Sequence, residues 1–486
     1  MVGITSFGGY VPRYRLNRMI VFGSMGWLNP VIITNARGEK AVANFDEDSI
    51  TMAVAAGMDC LRGVDRSNID AVYYATTTAP YKERQNANIV AGALGVKEEI
   101  RTADFAASLK SGTTALLSAL EFTAANPGAN AVVCAADCRL GKMASTQEMV
   151  FGDGGGALAV GDSDVIAEYK GCYSLSYDFV DHLRGAKTKY DRMWEERWIR
   201  DLGYGGFIPQ AVNGLCAKYG LSPADFDKVV YPCYYGGARK KINAMFGEGE
   251  GKVQDDMLAT VGDTGAGHPL LMMSAALETA QPGQKILLVS FGSGCDAMWF
   301  EVTDAIAKKQ DGRGASRWLA RRADLDNYQK YLVWRGMAPP EMGLRGEVDK
   351  ETRWSLVWRD HKSILGLWGG KCKACGTQQW PARRMCVNPD CGAVDQMEEV
   401  YLADKGGTVF TYTGDMLSAS LNPPAVYGTI SFNGGGRTVL DFADCTVEDV
   451  AVGNPIEFSF RKKFYDSKRD ITNYFWKAIP AVEEVK

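Results

Sequence analysis

Four of the twelve cysteines sit in one short stretch: Cys372-x2-Cys375, ten intervening residues, then Cys386-x4-Cys391. Two close pairs on separate knuckles can place four thiolates tetrahedrally around one ion, and Gly376 and Gly392 each follow the second cysteine of a pair. That spacing predicts a zinc site. Four thiolates leave no open position for water or substrate, so the predicted Zn2+ is structural. A second stretch with chemical potential is Ala103–Leu120, A-D-F-A-A-S-L-K-S-G-T-T-A-L-L-S-A-L. It reads as a buried strand end turning sharply at Gly112 into a buried helix. The N–H groups and positive dipole end of such a helix suit a nucleophile or an anion. The turn holds Ser108, Leu109, Lys110 and Ser111, and no cysteine. Arg239, Lys240 and Lys241 form the clearest local basic cluster, beside the Tyr235-Gly236-Gly237 loop; it reads equally as a phosphate contact or a solvated surface.

Composition bounds these readings. A chain of 486 residues exceeds a single core and predicts two or three domains. It is 46% hydrophobic and 23% charged, with a net charge of −4, which argues against a nucleic-acid-binding protein. No apolar run approaches the roughly 20 residues that span a bilayer. The first residues lack the basic and apolar regions of an export signal. Scattered cysteines with one cluster suit a reducing cytoplasm.

Several elements must position these groups. Residues 2–11 read as a strand, Asp46–Arg62 as a capped amphipathic helix, Ile69–Ala75 as a buried strand and Asn86–Leu94 as a second helix. Leu117–Gly128 and Met273–Gly283 echo each other. Each ends in Pro-Gly, follows a glycine turn (Ser111-Gly112, Ala266-Gly267) and leads into an apolar strand, Ala131–Ala136 or Ile286–Ser290. Pro127 and Pro282 lie 155 residues apart, which predicts a duplicated α/β half-domain whose two turns converge on one site. Gly152–Asp162, G-D-G-G-G-A-L-A-V-G-D, lacks the Lys-Ser/Thr of a P-loop and reads as close packing at a strand start. Asp178–Trp198 suits an exposed helix or cap with His182 on its surface. After Val302 the chain reads as a helical linker, the cysteine segment, and short strands over 397–480 that suggest a small barrel.

Val2–Arg15, Glu39–Val54, the turn at Gly112, the G-D-G-G-G segment and Phe291–Ala297 (F-G-S-G-C-D-A) together resemble the hydroxymethylglutaryl-CoA synthase family of the thiolase superfamily. The cysteine cluster and barrel resemble the zinc-ribbon/OB-fold domain that accompanies thiolase-like proteins. The resemblance implies an α/β class, with a duplicated thiolase fold (αβαβα layers) over 1–304 and a helical linker over 305–365. A zinc ribbon over 366–396 and an OB-type β-barrel over 397–486 follow. It also implies a homodimer and acyl-CoA substrates with CoA as part of the substrate, but the family's acyl-enzyme chemistry does not carry over, because four family positions differ here. The nucleophilic cysteine maps to Leu109, the glutamate to Ala75–Pro80 with Thr77 nearest, the histidine to Cys233, and the substrate-binding Asn to Asp263.

His268, in Gly267-His268-Pro269-Leu270, resembles the motif by which thiolases position a catalytic histidine, and reads equally as a buried structural one. Cys295 lies near a second thiolase cysteine or is a small core residue. Asp263, His268 and Cys233 are the expected acid/base groups, and Arg239, Lys240 and Lys241 the expected contacts to the CoA phosphates. The expected activity is making or breaking a C–C bond beside the thioester, by aldol or retro-aldol chemistry on a 3-hydroxyacyl-CoA without an acyl-enzyme. Two alternatives remain: a synthase or thiolase-type acyltransferase with a relocated cysteine, and a non-catalytic acyl-CoA scaffold for a partner thiolase or dehydrogenase. A cytoplasmic location is expected, with no membrane or nucleic-acid partner.

Overall fold

The computed structural model describes all residues except 248, 250, 344–351 and 482–486; part of the expected linker and the end of the expected barrel domain lie outside them. Among the described residues no helix is long and apolar enough to cross a membrane.

The predicted duplication appears as one nine-stranded sheet folded around two central helices. In sheet order its strands are Arg101–Phe105, Ile69–Ala75, Asn130–Asp137, Gly154–Gly161, Gly3–Tyr10, Ala167–Ser176, Gly294–Val302, Lys285–Phe291 and Lys228–Val230. Parallel pairs flank both ends: Ile69–Ala75 runs parallel to both of its neighbours, and Lys285–Phe291 parallel to Lys228–Val230. The halves join where Gly3 and Ile4 pair with Glu168 and Ala167. Helices Ser111–Ala125 and His268–Glu278, the two echoing segments, fill the space between the halves. Leu116, Ala119, Leu270 and Met273 share one core with Val133 of the first half and Leu288 and Phe300 of the second. Strand alternation sends Val72, Tyr74, Val132 and Cys134 to the opposite face, against helices Ser49–Cys60 and Asn86–Leu94. On the far side of the second half, Leu287 and Val289 pack against helix Ile208–Tyr219. These are the expected five layers. Each buried aliphatic side chain contributes roughly 1.5–3 kcal/mol.

Local chemistry explains the boundaries. Asp48 caps Ser49–Cys60 through a reciprocal box with Thr51. The glycines after Phe151 pack closely, as expected: a Cβ on Gly152 would collide with the Val261 carbonyl, and one on Gly156 with the Leu270–Leu271 backbone. Arg101–Phe105 differs from the expectation of a buried strand, because it is the outermost strand of the sheet and is half-exposed.

Beyond Val302 the described residues pack onto the rest of the chain. Short helices at Ala315–Ala320 and Tyr328–Trp334 bury Trp318, Tyr328, Tyr331 and Trp334 against the first half-domain, and Ala323–Asp324 pairs with Tyr14 and Arg15. A three-stranded sheet (Trp368–Cys372, Gln378–Gln379, Met397–Tyr401) carries the cysteine knuckles. The last five strands, Gly407–Asp415, Ala425–Phe432, Arg437–Asp441, Pro455–Asp466 and Ile471–Pro480, form an antiparallel sheet that curls until Phe442 meets Ala478. Its core is continuous with that of the thiolase-like part.

Candidate functional site

The two elbows meet. A Cβ on Gly112 would collide with the Ala266 carbonyl oxygen, so glycine there permits the helix starts to touch. The turn into Ser111–Ala125 is made by Ala107 in the left-handed region, at φ 69°. Ser108 Oγ donates to the Gly292 carbonyl (2.8 Å), tying the elbow to the Phe291–Gly294 loop. Leu109 is buried, and its N–H has no hydrogen-bond acceptor among the described residues. Lys110 Nζ pairs with buried Asp296 at 3.0 Å, and Thr113 and Thr114 donate to the same carboxylate.

A buried carboxylate, Asp137, fastens three chain segments at this point. Its oxygens accept from Thr76 Oγ1 (2.7 Å), Thr77 N (2.7 Å) and Oγ1 (2.9 Å), Thr78 Oγ1 (2.8 Å) and Ala266 N (2.8 Å). The Ala75–Pro80 segment, where the family glutamate maps, thus uses its threonines to hold Asp137. Two residues on, Arg139 Nη2 pairs with Asp263 Oδ2 at 2.7 Å, Nη1 lies 3.7 Å from Asp191, and the guanidinium stacks 3.9 Å from the Phe151 ring centroid. Burial disfavours both charges, but each is the other's compensation: Asp263 is held below the usual carboxylate range and Arg139 above its own.

These groups border a closed cavity of about 10 Å³, lined by Leu109, Arg139, Phe151, Asp181, His182, Met193, Ile199, Tyr204 and Tyr234. That is room for one water at most. Asp178–Trp198 covers it, mostly as irregular chain; helix begins only at Glu196. His182 is half-buried there rather than lying on the surface as expected, and its Nδ1 is buried and unpartnered. Tyr234 Oη lies 2.9 Å from Met193 Sδ and 3.3 Å from Tyr235 Oη.

The expected site residues are placed unevenly. Asp263 lies on the cavity's edge through Arg139. His268 is fully buried with both ring nitrogens engaged: Nδ1 accepts from Thr264 N (2.9 Å), and Nε2 lies 2.8 Å from the Asp256 carbonyl, which fixes a neutral ring. Burial lowers its pKa further. Cys233 is buried behind the tyrosines, its thiol pushed up to about 12 by burial, and Cys295 is buried with its thiol raised more strongly. Neither lines the cavity. Arg239 turns inward onto the Tyr231 and Gln254 carbonyls and Asp256, leaving Lys240 and Lys241 exposed beside the loop. Sequence reading missed Asp137, Arg139, Asp181 and His182. The readable signal was D-C-R closing an apolar strand, where charged residues have only a strand end to explain them.

The four cysteine sulfurs all lie within 4.8 Å of one another, with Cys372–Cys391 at 3.8 Å and Cys375–Cys386 at 3.5 Å. Zn–S bonds of about 2.3 Å in a tetrahedron place sulfurs about 3.8 Å apart, so the set fits zinc.

The folded sheet, central helices and paired elbows define a thiolase-type fold. Solved structures share it: an HMG-CoA synthase complexed with CoA (TM-score 0.61, 18% identity, 72% of this chain and 95% of that one), and FabH, 3-oxoacyl-(acyl carrier protein) synthase III from Pseudomonas aeruginosa (TM-score 0.55, 19% identity, 62% and 98%). Sequence is more specific. The hydroxymethylglutaryl-CoA synthases of Pyrococcus horikoshii and Pyrococcus furiosus are each 32% identical, over 64% and 68% of this chain and 89% and 95% of theirs. The chain belongs to the hydroxymethylglutaryl-CoA synthase family. Residues 360–397 match the ChsH2 rubredoxin-like zinc ribbon domain.

Proposed function

We propose that this chain is an acyl-CoA enzyme that makes or breaks the C–C bond beside the thioester by aldol or retro-aldol chemistry, without an acyl-enzyme. One observation carries the reading. The cavity at the elbow is lined by no cysteine, serine, threonine or lysine among the described residues, and Leu109 stands at the nucleophile position. A Claisen route needs a nucleophile to carry the acyl group; an aldol route needs only a stabilised enolate and a proton carrier. The free Leu109 N–H at a helix start is a donor suited to the enolate oxygen. Asp263 serves by holding Arg139 charged, His268 by fixing the Asp263–Gly267 turn, and Cys233 by backing Tyr234. Lys240 and Lys241 are the groups free to meet CoA phosphates.

The closed cavity requires the 178–198 cap to move before an acyl chain enters. Zinc bound by Cys372, Cys375, Cys386 and Cys391 would hold the ribbon fold, and four thiolate ligands would leave it no open position for substrate. We place the enzyme in the cytoplasm as a homodimer. The domain division at 304, 365 and 396 belongs to the same reading.

The test uses the full chain with 3-hydroxybutyryl-CoA. Retro-aldol cleavage gives acetyl-CoA and acetaldehyde, while intact-protein mass spectrometry stays at the mass of the free chain. A stable thioester adduct overturns the reading in favour of a relocated cysteine. The closed cavity favours a second reading, an acyl-CoA scaffold, which wins if CoA esters bind and turn over only with an added thiolase or dehydrogenase.

A further inference from the structure

Three side chains that line the cavity each carry a buried polar atom with no hydrogen-bond partner, Arg139 Nε, Asp181 Oδ2 and His182 Nδ1, and Asp191 Oδ1, beside Arg139, is a fourth such atom. Buried polar groups are almost always paired, and each orphan costs of the order of 1–3 kcal/mol. Three lining one small space make it a site suited to a polar group that can both donate and accept. Their chemistry restricts that group. Arg139 Nε–H only donates, the two carboxylate oxygens only accept, and a neutral imidazole nitrogen does either. A thioester or ketone oxygen, an acceptor only, meets Arg139 Nε–H but gives no proton to an unprotonated imidazole nitrogen. A hydroxyl accepts from Arg139 Nε–H and donates its one proton to the imidazole nitrogen.

We infer that this cavity is the hydroxyl subsite of a 3-hydroxyacyl-CoA and that His182 is its proton carrier, with Asp181 as positioning residue. The assignment rests on the aldol reading above and deepens it. In the cleavage direction the hydroxyl O–H proton passes to His182 Nδ1. The C2–C3 bond breaks, its electron pair moves to the thioester as an enolate, and C3 becomes a carbonyl. The product carbonyl now only accepts, and meets two donors, His182 Nδ1–H and Arg139 Nε–H. C2 is reprotonated, so no proton or electron is left over. The subsite therefore offers the alcohol one donor and one acceptor before bond breaking, and the carbonyl two donors after it. The charged or titratable groups around His182 are Asp181, Asp191, Arg139, Asp263, Tyr204 and Tyr234.

Two measurements on the full chain test this. In turnover of 3-hydroxybutyryl-CoA, His182→Gln is expected to lower kcat by about 100-fold or more with KM little changed, and to remove the acidic limb of the kcat/KM pH profile. Retention of activity within threefold, with the limb intact, overturns the assignment. In calorimetric binding, wild type is expected to prefer 3-hydroxybutyryl-CoA over butyryl-CoA by about tenfold, and His182→Gln to lose that preference while still binding butyryl-CoA. Equal wild-type affinity for the two esters overturns the subsite. If wild type turns over no 3-hydroxyacyl-CoA but shows the hydroxyl preference, the aldol reading fails while the subsite stands.

Discussion

Arg139 is a buried cation whose neighbours, Asp263 and Asp191, are themselves buried, so its loss strands charge rather than a simple contact. Removing one partner of such a group costs about 3–5 kcal/mol. Arg139→Met is expected to lower stability by about that much at pH 7, measured by urea denaturation. The pH dependence has a definite sign. In wild type, Asp263 sits below its unfolded pKa, so its contribution is present above that value and lost as pH falls through the folded one. Without Arg139, burial raises the Asp263 carboxyl instead, and the folded state gains a proton that the unfolded state lacks. The deficit of the variant should therefore be largest above pH ~5 and shrink toward pH ~4. A deficit independent of pH would mean that Asp263 is not held by Arg139.

At the scale of elements, the elbows work because two helix starts approach without a side chain between them. Gly112→Val is expected to destabilise the fold by about 1–3 kcal/mol or prevent it, since the added carbons meet backbone at Ala266 rather than a movable side chain. Gly236→Ala, where a Cβ meets open space, is the control and should leave the melting temperature nearly unchanged. The ribbon is a second element with a single point of failure. Its small sheet docks both ways, through Tyr401 Oη to the Ala93 carbonyl (2.7 Å) and Gln378 Nε2 to the Gly435 carbonyl (2.7 Å). One zinc per chain is expected by elemental analysis. Stripping it with a strong chelator should make the 366–396 segment protease-sensitive while the near-ultraviolet signal of the thiolase-like core persists. Loss of both together would show that the ribbon is needed by the whole fold.

Across the whole molecule, the barrel is joined to the first half-domain by a buried ionic cluster. Arg461, 1% exposed, pairs with Asp444 (2.6 Å), Glu47 (2.9 Å) and Asp46 (3.3 Å), while Lys477 reaches Asp46 at 3.0 Å and Tyr10 Oη donates to Glu47. Burial raises the Glu47 carboxyl to about 7, against Arg461, which lowers it. A raised acid binds its proton in the folded state first, so this group stabilises below its unfolded pKa and the contribution is lost as pH rises toward 7. Glu47→Gln should flatten that slope between pH ~5 and 7 in denaturant titrations, and an unchanged slope would show that another group sets it. Arg335 joins the preceding segment to the site, bonding Asp153 (3.0 Å) and the Cys138 carbonyl (2.9 Å), just before Arg139.

The sequence by itself determined the elements and their repetition. Periodicity, caps and glycines placed the helix over Asn86–Leu94 and the strand over Ile69–Ala75, and the 155-residue echo announced two elbows converging on one place. The clustering of Cys372, Cys375, Cys386 and Cys391 was legible because cysteine spacing along a chain is itself geometry. Leu109 was legible as an absence. Only the tertiary structure decided what surrounds that absence, because partners there are distant in sequence. Arg139 meets Asp263 across 124 positions, His182 folds into the cavity from a stretch whose polarity reads as surface, and His268 turns out to spend both nitrogens on backbone. Local pattern reports which face of an element is apolar; it carries no record of which polar atoms are left unpaired when three loops close over one water-sized space.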